Sequence, residues 1–114
     1  AGRVPGLRAF LPARGVNHVA NQLVLTACIA GIDSLRYTPA GLPALNIRLE
    51  HESEIQEAGQ IRQVKATLKA VAFGAIAERL AKQAIASAWR FNGFLATPRN
   101  GKHVVFHIQE FQQD

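Results

Sequence analysis

The chain has 114 residues, with 13 Lys and Arg against 8 Asp and Glu, a formal net charge of +5. This length suits one domain with a single core, and the only cysteine, Cys28, excludes an intramolecular disulfide and a cysteine zinc cage. The apolar runs are too short to span a membrane, and together with the single cysteine they favour a cytoplasmic protein.

The first 20 residues differ in composition from the rest of the chain. Five Gly and Pro residues interrupt any helical or strand periodicity, and the segment carries Arg3, Arg8 and Arg14 but no acid. We therefore predict a flexible N-terminal arm, 1–20, and a folded domain, 21–114. Outside the arm, ten basic residues face eight acidic ones, so any electrostatic site must come from local clustering.

The first half of the folded segment shows the period-two alternation of strands. It predicts strands over 21–33, 44–52 and 61–73, separated by a turn at 34–41 and a polar loop at 53–60. In the second strand, for example, the alternation directs Leu45, Ile47 and Leu49 inward.

The pattern changes after Gly74. Residues 75–86 have the composition and spacing of a helix, and alternation resumes over 87–96 and 103–111, with Trp89 and Phe91 inward. Asn100-Gly101 predicts a tight turn between these last two strands. The order β-β-β-α-β-β predicts an all-β protein with one short helix, the five-stranded Greek-key barrel of the OB-fold.

The residue pattern argues against catalysis. His103 and His107, on one face of a strand, would lie about 13 Å apart and could not share a metal ion. Four acidic residues lie near the end of the second strand: Glu50, Glu52, Glu54 and Glu57. We interpret them as a solvated edge rather than a catalytic pair with shifted pKa values. No phosphate-binding loop or nucleophile motif is present. We predict no enzyme activity, no cofactor and no metal.

Basic residues concentrate where OB-folds hold their ligands, on the second and third strands and in the first and last hairpin loops. Tyr37 is the one aromatic side chain that we expect to be free for base stacking. These positions predict an electrostatic, weakly sequence-selective site for a single-stranded nucleic acid, formed by Arg36, Tyr37, Arg48, Arg62, Lys65, Lys69, Arg99 and Lys102.

From Asn21 to about Gln112 the chain resembles the bacterial primosomal replication protein N family, PriB. The residues that carry the resemblance are Thr38-Pro-Ala-Gly-Leu-Pro43, Leu49-Glu-His51 with Ser53, Gln56-Glu-Ala-Gly59, Arg62-Gln63, Asn92-Gly-Phe94 and His107. The resemblance implies a homodimeric OB-fold protein of the replication-restart primosome. Its expected partners are single-stranded DNA, the PriA helicase and the DnaT loader, with no membrane.

Carried over by the same resemblance, DNA contacts fall on Arg36, Arg62, Lys65, Arg99 and Lys102. The chain departs from the family where members place a tryptophan after the Arg-Gln pair, since Val64 and Lys65 stand there. Gln60 and Glu52 also replace an aromatic and a basic residue. Two other readings stay open: an OB-fold adaptor between proteins that barely touches DNA, and an OB domain for structured RNA or oligosaccharide.

Overall fold

A computed structural model describes residues 19–113. Most of the predicted arm, residues 1–18, lies outside the described residues, so the division of the chain into arm and domain stays a prediction. The described chain forms six strands and one helix, in the order β1 Leu23–Ile32, β2 Arg36–Tyr37, β3 Pro43–Glu57, β4 Gln60–Phe73, α1 Ala75–Ala81, β5 Ala88–Ala96 and β6 Val105–Gln112. No helix in this part of the chain is long and apolar enough to cross a membrane.

The strands close into a barrel. The sheet order is β1-β5-β6-β4-β3-β2, and β1 also pairs with β3, which joins the two ends. All pairings are antiparallel except that of β4 with β6, where Ala70 lies beside Phe106 and Val71 beside His107. The two-residue β2 is only an addition to the edge of β3, so five strands form the closed barrel, as the predicted OB-fold requires.

The barrel interior is filled by the residues that alternation directs inward. Leu45, Ile47 and Leu49 of β3 are buried, as predicted, and Phe91 and Phe106 are fully buried on β5 and β6. The Trp89 ring packs edge-on against Phe111 at 4.9 Å. Ala77 and Leu80 from α1 complete this core, so the helix closes one end of the barrel.

The prediction of a polar loop at 53–60 is wrong. Strands β3 and β4 continue through this segment as a hairpin, with Glu57 opposite Gln60. Ala58 and Gly59 turn the chain with φ of 53° and 79°, the left-handed pair whose twist suits a two-residue hairpin. The polar side chains misled the prediction because this hairpin extends beyond the core and exposes both of its faces.

The helix is shorter than predicted and ends at Ala81 rather than 86. The backbone of Ala86 donates to Ile29 O at 2.7 Å, and Ile29 N donates to Ser87 O at 2.9 Å. Because residues 86 and 87 bind the edge of β1, they cannot continue a helix.

The turn before β6 also differs from the prediction. Gly101 N donates to Pro98 O at 3.0 Å, so Arg99 and Asn100 are the central residues of the turn. Neither Asn100 nor Gly101 has a positive φ. His103 lies in this connection and not on β6, which begins at Val105.

Candidate nucleic-acid interface

Three of the predicted cations lie on the outer face of the β3–β4 ribbon. Arg48 stands directly opposite Lys69, and Glu52 opposite Lys65, so all of these side chains share one face. The Arg48 guanidinium lies across β1, where a methyl group added to Gly31 would be 3.3 Å from Nη1. Lys65 is 3.5 Å from the Glu52 carboxylate, whereas Arg48 and Lys69 take part in none of the ion pairs described for residues 19–113.

Arg36 extends this face across β2. It lies opposite Ala44 of β3, which puts its side chain on the outer surface, and its Nη2 donates to Asn46 Oδ1 at 2.9 Å. Tyr37 lies opposite Pro43 and therefore points away from Arg36. Its side chain is 61% exposed, in agreement with the prediction of a free ring.

Arg62 is not on the same face as the other strand cations. It lies opposite Ile55, on the inner side of the extended hairpin. Its Nη1 contacts Glu57 Oε1 at 2.7 Å, with both side chains about 60% exposed (62% and 61%). A single extended ligand on the outer face would therefore not reach Arg62 without crossing the hairpin edge.

Arg99 and Lys102 are exposed in the connection 97–104 between β5 and β6. This connection leads into Val105, immediately before the residues of β6 that lie beside Ala70 of β4. The loop is thus at the end of the barrel where Lys69 projects. The structure brings four strand and edge cations onto one surface, with the two loop cations at its border.

His51 positions the hairpin that carries Lys65. It lies where β3 leaves β1, beyond the last pair, Cys28 and Glu50. Its Nδ1 donates to the Thr26 carbonyl oxygen at 2.7 Å, and the Ser53 hydroxyl lies 2.8 Å from Nε2. The base of the hairpin is therefore attached to the barrel by a side chain after the backbone pairing has ended.

Beside this attachment a groove of about 540 Å³ runs between β1 and the hairpin. Its lining includes Glu50, Glu52 and Lys65, together with Thr26 and Cys28. The two carboxylates make this groove unfavourable for phosphate, so the cationic surface begins on the far side of Glu50, at Arg48 and Lys69. The described residues contain no cluster of three His, Cys, Asp or Glu side chains that could hold a metal ion.

The prediction that only Tyr37 is free to stack is wrong. A second groove, of about 360 Å³, lies on the outer surface of β4, β6 and β5 and contains Phe73, Phe94 and His107. Phe73 is 39% exposed. Strand alternation alone places two of these rings on the outer face, because Ala72 and Phe106 face inward and their neighbours Phe73 and His107 must therefore face outward.

The barrel and its outer surface can be compared with known proteins. The model of the family described as "another single-strand binding protein family" matches residues 21–110. The replication restart protein PriB of Bordetella pertussis is 43% identical over 91 residues, which cover 79% of this chain and 85% of the relative. The chain belongs to the PriB family of replication restart proteins.

Other PriB proteins agree with this assignment. PriB of Nitrosomonas europaea is 32% identical over 100 residues, covering 87% of this chain and 91% of the relative. The structure of PriB from Ralstonia solanacearum superimposes with a TM-score of 0.77 at 35% identity, covering 83% of this chain and 98% of that one. The predicted family and the predicted OB-fold are both confirmed.

Proposed function

We propose that this PriB-family protein is a non-enzymatic, single-stranded-DNA-binding accessory of the replication-restart primosome. The observation that carries the proposal is the outer surface of β2, β3 and β4, where Arg36, Arg48 and Lys69 lie together without an acidic ion-pair partner among the described residues. Cations arranged along a sheet surface can neutralise successive phosphates, and the counterions released from the nucleic acid favour binding.

Lys65 extends the same surface although it is paired with Glu52. Both side chains are mostly exposed, at 73% and 61%, and an exposed pair of this kind contributes little stability. A phosphate can therefore replace Glu52 as the partner of Lys65. The remaining carboxylate reduces the attraction, so the hairpin contributes less positive charge than the centre of the surface.

The test is fluorescence anisotropy of a labelled poly-dT oligonucleotide at a series of salt concentrations. We expect binding at low salt, with an affinity that falls linearly in a plot of log K against log salt. No binding at low salt, or an affinity independent of salt, would contradict the proposal. Unlabelled structured RNA and oligosaccharide are added as competitors. Displacement of the labelled DNA by either one would favour that ligand over single-stranded DNA.

We further propose that the protein is a homodimer that pairs through β1. From Leu23 to Ala27, β1 pairs with β5 on one edge, while no strand within residues 19–113 pairs with the other edge. An unpaired strand edge is a ready template for a second strand. The Thr26 carbonyl points to this edge, where it meets His51, so by alternation the Val24 backbone points there as well.

Val24→Pro tests this interface because proline removes one N–H from the open edge and leaves the β5 pairing intact. We expect light scattering to give a dimer mass for the parent protein and a lower mass at the same concentration for the variant. A parent protein that is monomeric at micromolar concentration, or a variant that remains fully dimeric, would contradict this arrangement.

The family assignment also supports recruitment of the primosomal helicase PriA and of DnaT. An adaptor that binds the helicase but barely touches DNA is the competing function. Pull-down of the helicase before and after nuclease treatment separates the two, because a contact bridged by DNA is lost after digestion and a direct contact is retained. Helicase stimulation by the Lys69→Ala variant then shows whether DNA binding is required for it.

A further inference from the structure

The aromatic groove on the outer barrel surface is not explained by electrostatic binding alone. It is lined by side chains of three strands and of α1, with Gln109 as the one polar residue besides His107: Val71, Phe73, Ile76, Phe94, His107, Ile108 and Gln109. Core packing does not require these rings, because the barrel interior is filled by Phe91, Phe106 and the aliphatic residues. No carboxylate lines the groove, which separates it from the groove beside β1.

The three rings are arranged as a partial stack. Phe94 and His107 lie nearly parallel, with centroids 4.8 Å apart and planes at 16°. Phe73 is on the other side of His107 at 5.9 Å, tilted by 32°. Within the described residues the His107 ring nitrogens have no hydrogen-bond partner, so the stack also offers a polar edge.

The strand register puts this stack next to the cations. Asn46 lies opposite Val71, Val71 beside His107, and His107 opposite Phe94, so these four residues form one continuous row across the sheet. Arg48 and Lys69 form the neighbouring row, two residues along each strand and thus about 6.6 Å away. Arg36 borders the groove from the other direction, through its hydrogen bond to Asn46.

We propose that the aromatic groove receives bases of the single strand whose phosphates are held by Arg36, Arg48 and Lys69, an inference that rests on the proposed function. Flat rings suit bases because every base presents a π face, and such stacking tolerates any sequence. The adjoining positive charge complements a phosphate backbone. The combination of rings without acids and a bordering row of cations favours a nucleic acid over an apolar peptide.

Phe73→Leu and Phe94→Leu test the groove because each removes a ring while keeping an apolar side chain. Their binding to an oligo-dT is compared with binding to an abasic oligonucleotide of equal length, which has the phosphates but no bases. We expect each variant to bind oligo-dT about fivefold more weakly, the lower end of the effect of one stacked base. Affinity for the abasic strand and the salt slope should not change.

Ile61→Ala is the matched control, since Ile61 is a 72% exposed apolar side chain near the tip of the hairpin, away from the groove. It should bind both oligonucleotides as the parent does. Parent protein that fails to bind oligo-dT overturns the proposed function and this inference together. If the parent binds oligo-dT and the ring variants bind it equally well, the role of the groove in base binding is overturned while the proposed function stands. The same holds if the ring variants keep their affinity for oligo-dT and lose only the binding of a protein partner.

A second measurement uses the unaltered protein and so does not depend on the folding of the variants. An oligonucleotide carrying 5-iodouracil is bound, irradiated and digested, and the modified peptides are identified by mass spectrometry. We expect adducts on Phe73, Phe94 or His107. Adducts confined to other residues, such as Tyr37, would refute the proposed path of the bases.

Discussion

Lys69→Ala removes one cation from the centre of the outer surface and provides the most quantitative test of the proposed site. Lys69 is on a regular part of β4 and belongs to no described ion pair, so its loss should leave the fold and its neighbours unchanged. Each phosphate neutralised on a single strand contributes about −0.7 to the slope of log K against log salt. Four outer-face cations, Arg36, Arg48, Lys65 and Lys69, therefore predict a slope of about −2.8 for the parent.

Without Lys69 the slope should be about −2.1. Between about 50 and 200 mM salt the parent would then lose about 50-fold in affinity, and the variant about 18-fold. If the loop cations Arg99 and Lys102 also contact the strand, both slopes become steeper, but the difference of about 0.7 between them is preserved. Anisotropy titrations at five or more salt concentrations resolve such a difference.

Arg62→Ala is the control, because Arg62 has the same charge but lies on the opposite face of the hairpin and pairs with Glu57. Its removal should leave the slope unchanged. The reasoning is refuted if Lys69→Ala leaves the slope at the parent value, or if Arg62→Ala flattens it equally. The second result would mean that net charge, rather than a particular face, determines binding.

Three further predictions concern the barrel and its hairpin, and urea denaturation measures each. Gly93→Ala should lower the free energy of unfolding by about 3 kcal/mol, because the added methyl would lie only 1.8 Å from His107 O. Gly101→Ala is its control, since the added methyl would be 3.3 Å from the Pro98 ring and should lower the free energy of unfolding far less. Phe91→Ala should cost about 3–5 kcal/mol, since the Phe91 side chain is fully buried in the core. Ala58→Asn should stabilise the protein by about 0.5–1 kcal/mol, because Asn tolerates the left-handed φ of 53° better than Ala; a destabilised variant would contradict this account of the turn.

The barrel could be predicted from the sequence because its strands obey one simple rule. Alternation assigned Leu45, Ile47 and Leu49 to the interior, and all three are buried. Where one face of a strand is buried, a slip of one residue would expose every apolar side chain, so the pattern is strongly constrained.

The rule fails where tertiary contacts or turns decide the conformation. The segment at 53–60 is mostly polar and mostly exposed on both faces because the hairpin extends beyond the core, and such a composition alone cannot distinguish it from a loop. Residues 82–86 have helical composition, yet the hydrogen bond from Ala86 to Ile29 ends the helix earlier. Such a contact between distant residues leaves no local pattern in the sequence.

The candidate site was predicted in its residue types more accurately than in its geometry. Arg48, Lys65 and Lys69 were assigned to the outer face by alternation, and the register agrees with this assignment. Arg62 was included because it lies at the start of the third strand and because the family resemblance places a DNA contact there, yet an odd separation of three residues from Lys65 requires the opposite face. The aromatic groove was missed because its rings come from three strands that meet only in the closed sheet.

The formal net charge of +5 is a poor guide to where this protein would hold a polyanion. On the ribbon of β3 and β4, Glu52 pairs with Lys65 and Glu57 pairs with Arg62. The carboxylates offset most of the positive potential that Lys65 and Arg62 would otherwise add to the surface. Arg48 and Lys69, by contrast, are neighbours across the strand pair that take part in none of the described ion pairs, and the Arg48 guanidinium lies over β1 at Gly31. A phosphate bound at either side chain would therefore not have to displace a carboxylate that is ion-paired with it. On the hairpin, a phosphate must replace Glu52 as the partner of Lys65, so the strongest phosphate contact is expected at the Arg48–Lys69 pair and a weaker one on the hairpin.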